Sequence, residues 1–207
     1  MRFLKWILLV PLLVLGLVWF GHKKNTSTPQ PLPKLLAVPQ FEFVNQEGKL
    51  FTEKDLLGKS VLINFIFTKC PTVCPLLTQT MKDISEKAQN PLIHFVSISV
   101  DPENDSSTVL KAYGEKVGAD FSKWTFLTGP SDQLGDVVVK GFKMILIKDP
   151  KKNSSSQDPK DLLDITHGEH FVLVDKQGYI RGFRTLQSEN DKLAVLQELE
   201  QLAKESF

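Results

Sequence analysis

The chain alternates between apolar runs of strand length and apolar positions at helical spacing. Phe41–Val44 and Lys49–Phe51 flank Gln46-Glu-Gly48 and predict a hairpin. Thr52 to Gly58 reads as one capped helical turn, with Gly58 as its stop. Val61-Leu-Ile-Asn-Phe-Ile-Phe67 is nearly continuous in apolar character, as expected of a central strand covered on both faces. Leu77, Met81, Ile84 and Ala88 then recur at helical spacing, followed by a strand over Leu92–Val100 and a helix marked by Leu110, Tyr113 and Val117. Trp124–Leu127 predicts a strand, Asp132–Lys140 a short helix and Phe142–Ile147 a strand. His170–Val174 and Tyr179–Phe183 form a hairpin across Asp175-Lys-Gln-Gly178, and Leu193, Leu196, Leu199 and Leu202 line a last helix. This order predicts an α/β fold around a mixed sheet flanked by helices. An arrangement of this kind does not by itself assign a function.

Two segments precede that domain. Trp6 to Gly21 contains no charge and no strongly polar group. As a helix it would span about 24 Å, somewhat short of a hydrocarbon core of about 30 Å, with Lys5 and Lys23 able to snorkel and Trp6, Trp19 and Phe20 suited to the interfaces. Residues 1–24 therefore read as an N-terminal transmembrane anchor. The rival is a cleaved signal sequence, although bulky Val18-Trp-Phe20 offers no small-residue cleavage site. Residues 25–40 carry four prolines and read as a semi-rigid tether, leaving 41–207 as the folded domain. The polar stretch Lys148–Asp164 predicts a long loop, either functional or a tolerated surface insertion.

Charge and composition narrow the function classes. The 207 residues balance 25 basic against 24 acidic side chains. With Arg2, Lys5, Lys23 and Lys24 set aside, the remainder is mildly acidic, so nothing points to nucleic acid. The length suffices for one well-cored domain plus appendages.

The only cysteines, Cys70 and Cys74, stand in Phe67-Thr-Lys-Cys-Pro-Thr-Val-Cys-Pro75. Pro75 fits the first helical position with Cys74 as N-cap, which sets both sulfurs in a tight loop at a helix N-terminus. Amides and helix dipole there would favour thiolates, converging on one exposed point. A structural disulfide, a redox dithiol and a soft-metal site selecting Cu(I) or Zn(II) all remain open. A metal would need a third ligand. His22 flanks the anchor, and His94 lies within a strand. His170 opens a strand that ties its direction, whereas His167 precedes it beside Gly168 and is free to reach another loop.

The cysteine motif, Ser97-Ile-Ser-Val-Asp-Pro102, and a histidine leading into a strand and an Asp-x-x-Gly turn together resemble the Sco/SenC family over roughly Phe41 to Leu202. The resemblance implies a thioredoxin-like, membrane-tethered copper protein that helps to metallate the binuclear copper site of cytochrome c oxidase. It implies copper held by Cys70, Cys74 and one histidine, and counting back from Gly178 puts that histidine on His167. It also implies partners: the copper-receiving oxidase subunit, an upstream copper donor and a thioredoxin-like reductant. The domain is expected on the extracytoplasmic, bacterial periplasmic side. Two acids common in the family are Thr72 and Thr166 here, and loss of a neighbouring carboxylate bears on how firmly His167 is oriented. Asp101-Pro102 and Asp105 read as turn and helix-cap residues. The alternative function is a thiol–disulfide oxidoreductase in which Cys70 and Cys74 are catalytic. Peroxidatic activity and a docking or sensing module are weaker readings.

Overall fold

The computed structural model describes residues 31–71, 73–142 and 170–206. The apolar run 6–21, most of the expected strand Phe142–Ile147, the polar stretch 148–164, His22, Thr72 and His167 lie outside the described residues.

Strand β1 (Leu36–Ala37) is followed by the hairpin β2 (Glu42–Asn45) and β3 (Leu50–Thr52). A 3-10 turn, Glu53–Leu56, leads to β4 (Ser60–Ile66), α1 (Val73–Lys87) and β5 (Ile93–Ser99). Next come α2 (Ser107–Val117), β6 (Trp124–Thr128), α3 (Ser131–Gly135) and a π-helical turn over Asp136–Gly141. The hairpin β7 (His170–Val174) and β8 (Tyr179–Thr185) precedes α4 (Glu189–Lys204). The strands form one sheet in the order β1-β8-β7-β4-β5-β6-β2-β3. Its centre, β4-β5-β6, is parallel; the outer strands are antiparallel.

Continuous apolar character in β4 reflects burial on both faces. Val61, Ile63 and Phe65 enter one core with Val96, Ile98, Leu127, Phe43 and Phe142, and Leu62 and Ile66 enter the other with Phe95, Trp124, Met81, Leu110 and Leu199. The first core is roofed by the β2–β3 side and the α3 segment, the second by α1, α2 and α4. Complete removal of a large apolar side chain from water is worth about 1.5–3 kcal/mol, so a two-faced centre concentrates stabilisation on β4 and β5. Asn64 shares the Leu62 face, where its Oδ1 accepts from Ser97 Oγ at 2.7 Å and Ser97 Oγ accepts from Trp124 Nε1 at 2.9 Å.

Residues Leu32 to Gln40 belong to the same compact unit as the rest of the domain, beginning at Leu32. Leu36 pairs with Ile180 and Ala37 with Tyr179, so this half of the proline-rich stretch is docked chain rather than free tether. Alternation gives no sign of it, because a two-residue strand holds a single period and repeats nothing. In α4 the expected stripe is corrected at one end: Leu193 is 46% exposed, while Val195, Leu199, Leu202 and Ala203 are buried. At about 100° per residue a strict three-residue spacing drifts by about 60° per step, which carries Leu193 to the side opposite Leu202. Asp105 is not the N-cap of α2; that role belongs to Ser106, whose side chain accepts from the Val109 amide.

Candidate metal and dithiol site

β4 ends at Ile66 and releases Phe67 to Pro71 at the carboxyl end of the parallel strands, the usual place for function in open α/β sheets. The Cys70 amide donates to the Phe67 carbonyl at 3.2 Å, closing the turn. α1 begins at Val73, so Cys74 is its second residue and Pro75 its third, not N-cap and first residue. A proline is tolerated throughout the first turn because those amides have no helical partner. The Cys74 amide instead donates to Cys70 Sγ at 3.4 Å. The two cysteines thus share one turn, Cys70 before the helix and Cys74 inside it.

Neither is joined in a disulfide. They are also buried, with 6% of Cys70 and 5% of Cys74 exposed, where an exposed pair was expected. The cause is packing: both side chains belong to the core that contains Ile66, Met81, Phe171 and Leu173. Burial pushes the Cys74 thiol up to about 12; a backbone hydrogen bond with Phe67 opposes this, and Cys70 and the Asp105 charge add to it. Desolvation therefore outweighs the helix N-terminus at Cys74, and the expected thiolate is a thiol at neutral pH.

Around the pair stand residues with no obvious chemical signature in the sequence. Asp105 is fully buried. Its Oδ2 accepts from the Thr68 amide at 3.0 Å and from Ser99 Oγ at 2.6 Å, while Oδ1 accepts from Thr68 Oγ1 at 2.5 Å. Ser99 Oγ in turn accepts from the Asp101 amide at 3.1 Å. On the exposed rim Lys69 Nζ donates to Asn104 Oδ1, joining the same two loops. Tyr113 Oη lies 2.8 Å from Thr78 Oγ1, and burial, opposed by that hydrogen bond, pushes the phenol up. The signal for Asp105 was its position: two cap-type residues stand in tandem at 105 and 106, and one helix start needs only one of them. Asp101 does form a turn, its carboxylate accepting from Asn104 Nδ2 at 3.0 and 2.9 Å.

The histidines separate as follows. His94 is half-buried in β5, and burial followed by the Lys59 charge holds its imidazole below the ordinary range. His170 is exposed at the start of β7, its Nδ1 3.0 Å from Thr185 Oγ1 across the hairpin. His167 lies outside the described residues. Among the described residues no group of three or more His, Cys, Asp or Glu side chains is arranged to hold a metal ion. Nor is any helix among them long and apolar enough to cross a membrane.

A mixed sheet with helices on its faces and a dithiol at the end of its central strand defines a protein of the thioredoxin-like class. More narrowly, residues 30–204 match the SCO1/SenC family, and the chain belongs to it. It is 36% identical over 146 residues to the SCO1 protein homolog of Bacillus subtilis, covering 69% of this chain and 70% of the relative. A SCO1/SenC family lipoprotein from Bacillus anthracis has a TM-score of 0.72 at 29% identity, over 84% of this chain and 99% of that one. BsSco, described with a disulfide switch and as a member of the Sco family of cytochrome c oxidase assembly proteins, has a TM-score of 0.70 at 29% identity, over 86% and 99%. Arabidopsis thaliana ScoI with copper bound shares the fold at 24% identity and a TM-score of 0.61, over 81% and 99%.

Proposed function

We propose that this protein is a copper-carrying assembly factor for cytochrome c oxidase, delivering Cu(I) to the copper-receiving subunit of the oxidase. Cys70, Cys74 and His167 would be the ligands. The observation that carries the proposal is the shared turn, in which the Cys74 amide meets Cys70 Sγ at 3.4 Å at the end of the central strand. Two soft sulfurs in one preformed turn select Cu(I) over hard cations. Loading exchanges two S–H bonds for two Cu–S bonds and releases two protons to solvent. A neutral imidazole completes a three-ligand shell, leaving a side open through which an acceptor ligand can enter and take the metal. The disulfide has no such lone-pair anions to offer, so oxidation disables loading. The copper-bound relative and the oxidase-assembly relative support the reading by family membership. Residues 6–21 would tether the domain on the extracytoplasmic side of a membrane, in keeping with their uncharged apolar run.

The test is a titration of the full chain, reduced and oxygen-free in detergent, with Cu(I) against a coloured chelator. One tight equivalent is expected, lost in Cys70→Ser and Cys74→Ser, weakened in His167→Ala and unchanged in His170→Ala. Equal loss in His167→Ala and His170→Ala would remove His167 as the specific ligand. Absence of tight binding would leave the thiol–disulfide oxidoreductase reading, which the shared turn of the two cysteines also supports.

A further inference from the structure

We infer that Asp105 is the positioning residue of the cysteine pair, acting through Thr68 to fix the turn that holds Cys70 Sγ against the Cys74 amide. The inference rests on the copper reading above and deepens it.

The geometry runs through one short segment. The Cys70 amide donates to the Phe67 carbonyl at 3.2 Å, and Cys70 Sγ accepts from the Cys74 amide at 3.4 Å. Thr68 lies between them in sequence, and both of its donors, the amide and the hydroxyl, end on the Asp105 carboxylate. The third donor to that carboxylate, Ser99 Oγ, comes from the last residue of β5, the strand parallel and adjacent to β4. Asp105 thereby pins the Phe67–Cys70 turn to the neighbouring strand end rather than to its own helix. The residue is fully buried and accepts three hydrogen bonds, which is how a charge is tolerated away from water. A helix cap would account for none of these partners, and Ser106 already caps α2.

A carboxylate held in this way is rigid on the scale that metal ligation requires. If the turn slackens, Cys70 Sγ loses its fixed place against the Cys74 amide, and the two sulfurs no longer present one preformed pair. Supporting residues of this kind commonly cost about 10–100-fold in metal affinity when removed. An aspartate that served only to hold the fold would lower stability and leave the affinity of the folded protein untouched.

The experiment compares Thr68→Val, Thr68→Ser and Asp105→Asn in the full chain, using Cu(I) alone as probe against a coloured chelator, with thermal melting alongside. Thr68→Val keeps the amide donor and removes the hydroxyl; Thr68→Ser keeps both. Affinity about 10-fold weaker or more in Thr68→Val and Asp105→Asn, with Thr68→Ser close to the parent, is the expected result. If Asp105→Asn does not fold, the Thr68 pair decides alone. Parent-like affinity in Thr68→Val overturns the inference while leaving the copper assignment standing. Should the parent itself bind no Cu(I), the copper assignment fails, and the dithiol–disulfide potential of the same variants, set against a glutathione buffer, becomes the readout. A shift in Thr68→Val that Thr68→Ser does not show then supports positioning, and identical potentials overturn it.

Discussion

At the scale of single residues, solvent exposure decides the chemistry more than residue type does. Cys74 has the helix N-terminus that normally favours a thiolate, and burial overrides it, pushing the thiol up to about 12. The same contest appears at His94, whose imidazole is held below its ordinary value of 6.5 by burial and then by the Lys59 charge. Because folding lowers this group's proton affinity, the stability it contributes is present above pH 6.5 and lost as the pH falls through the folded value. His94→Gln is therefore expected to lose less melting temperature than the parent between about pH 7.5 and about pH 5.5. Identical pH profiles for the two proteins would show that His94 titrates alike in the folded and unfolded chains. That Cys70 and Cys74 come together in one turn after the central strand was legible in the sequence. Their burial was not, since it depends on Phe171 and Leu173, a hundred residues along the chain.

Among the elements, α2 shows how cap chemistry and site chemistry can be told apart. Ser106 and Asp105 both suit the start of a helix, yet the Ser106 side chain meets the Val109 amide while Asp105 turns to Thr68 and Ser99. Ser106→Ala should cost about 1 kcal/mol in urea unfolding, the usual value of a lost N-cap, without moving Cu(I) affinity. A drop in affinity there would mean that the start of α2, and not Asp105 alone, positions the dithiol. Strand and helix types followed from hydrophobic period over β4, α1, β5, α2 and β6, where apolar residues face a core at every turn. Boundaries slipped where local rules tie: a proline suits any position in the first turn, so Pro75 could not say that α1 starts at Val73.

For the whole molecule, the edge of the sheet is closed by a buried cation. Arg181 is 4% exposed and donates from Nη1 to Asp175 Oδ2 at 2.9 Å and to Glu205 Oε2 at 2.7 Å. Its Nε donates to the Leu32 and Pro33 carbonyls at 3.0 and 3.2 Å. One side chain so joins the chain leading into β1, the β7–β8 turn and the end of α4. Arg181→Ala leaves Asp175 buried without its cation, and a loss of about 3–5 kcal/mol is expected. Limited proteolysis should then cut within residues 32–38, which β1 pairing otherwise protects. Unchanged cleavage there would show that pairing with β8 suffices without the clamp.

The sequence by itself determined the fold class, the order of most elements and the meeting of the two cysteines in one turn. Each of these depends on local period, turn residues or the rarity of cysteine, and all can be read within a short window. Only the tertiary structure decided that the thiols are buried, that Asp105 serves the Phe67–Cys70 turn and that residues 32–40 are docked chain. Those facts arise where segments distant in sequence meet: Thr68 with Asp105, Leu36 with Ile180, Cys74 with the β7 core. Desolvation and hydrogen-bond partnership are properties of such meetings, and no local pattern encodes them.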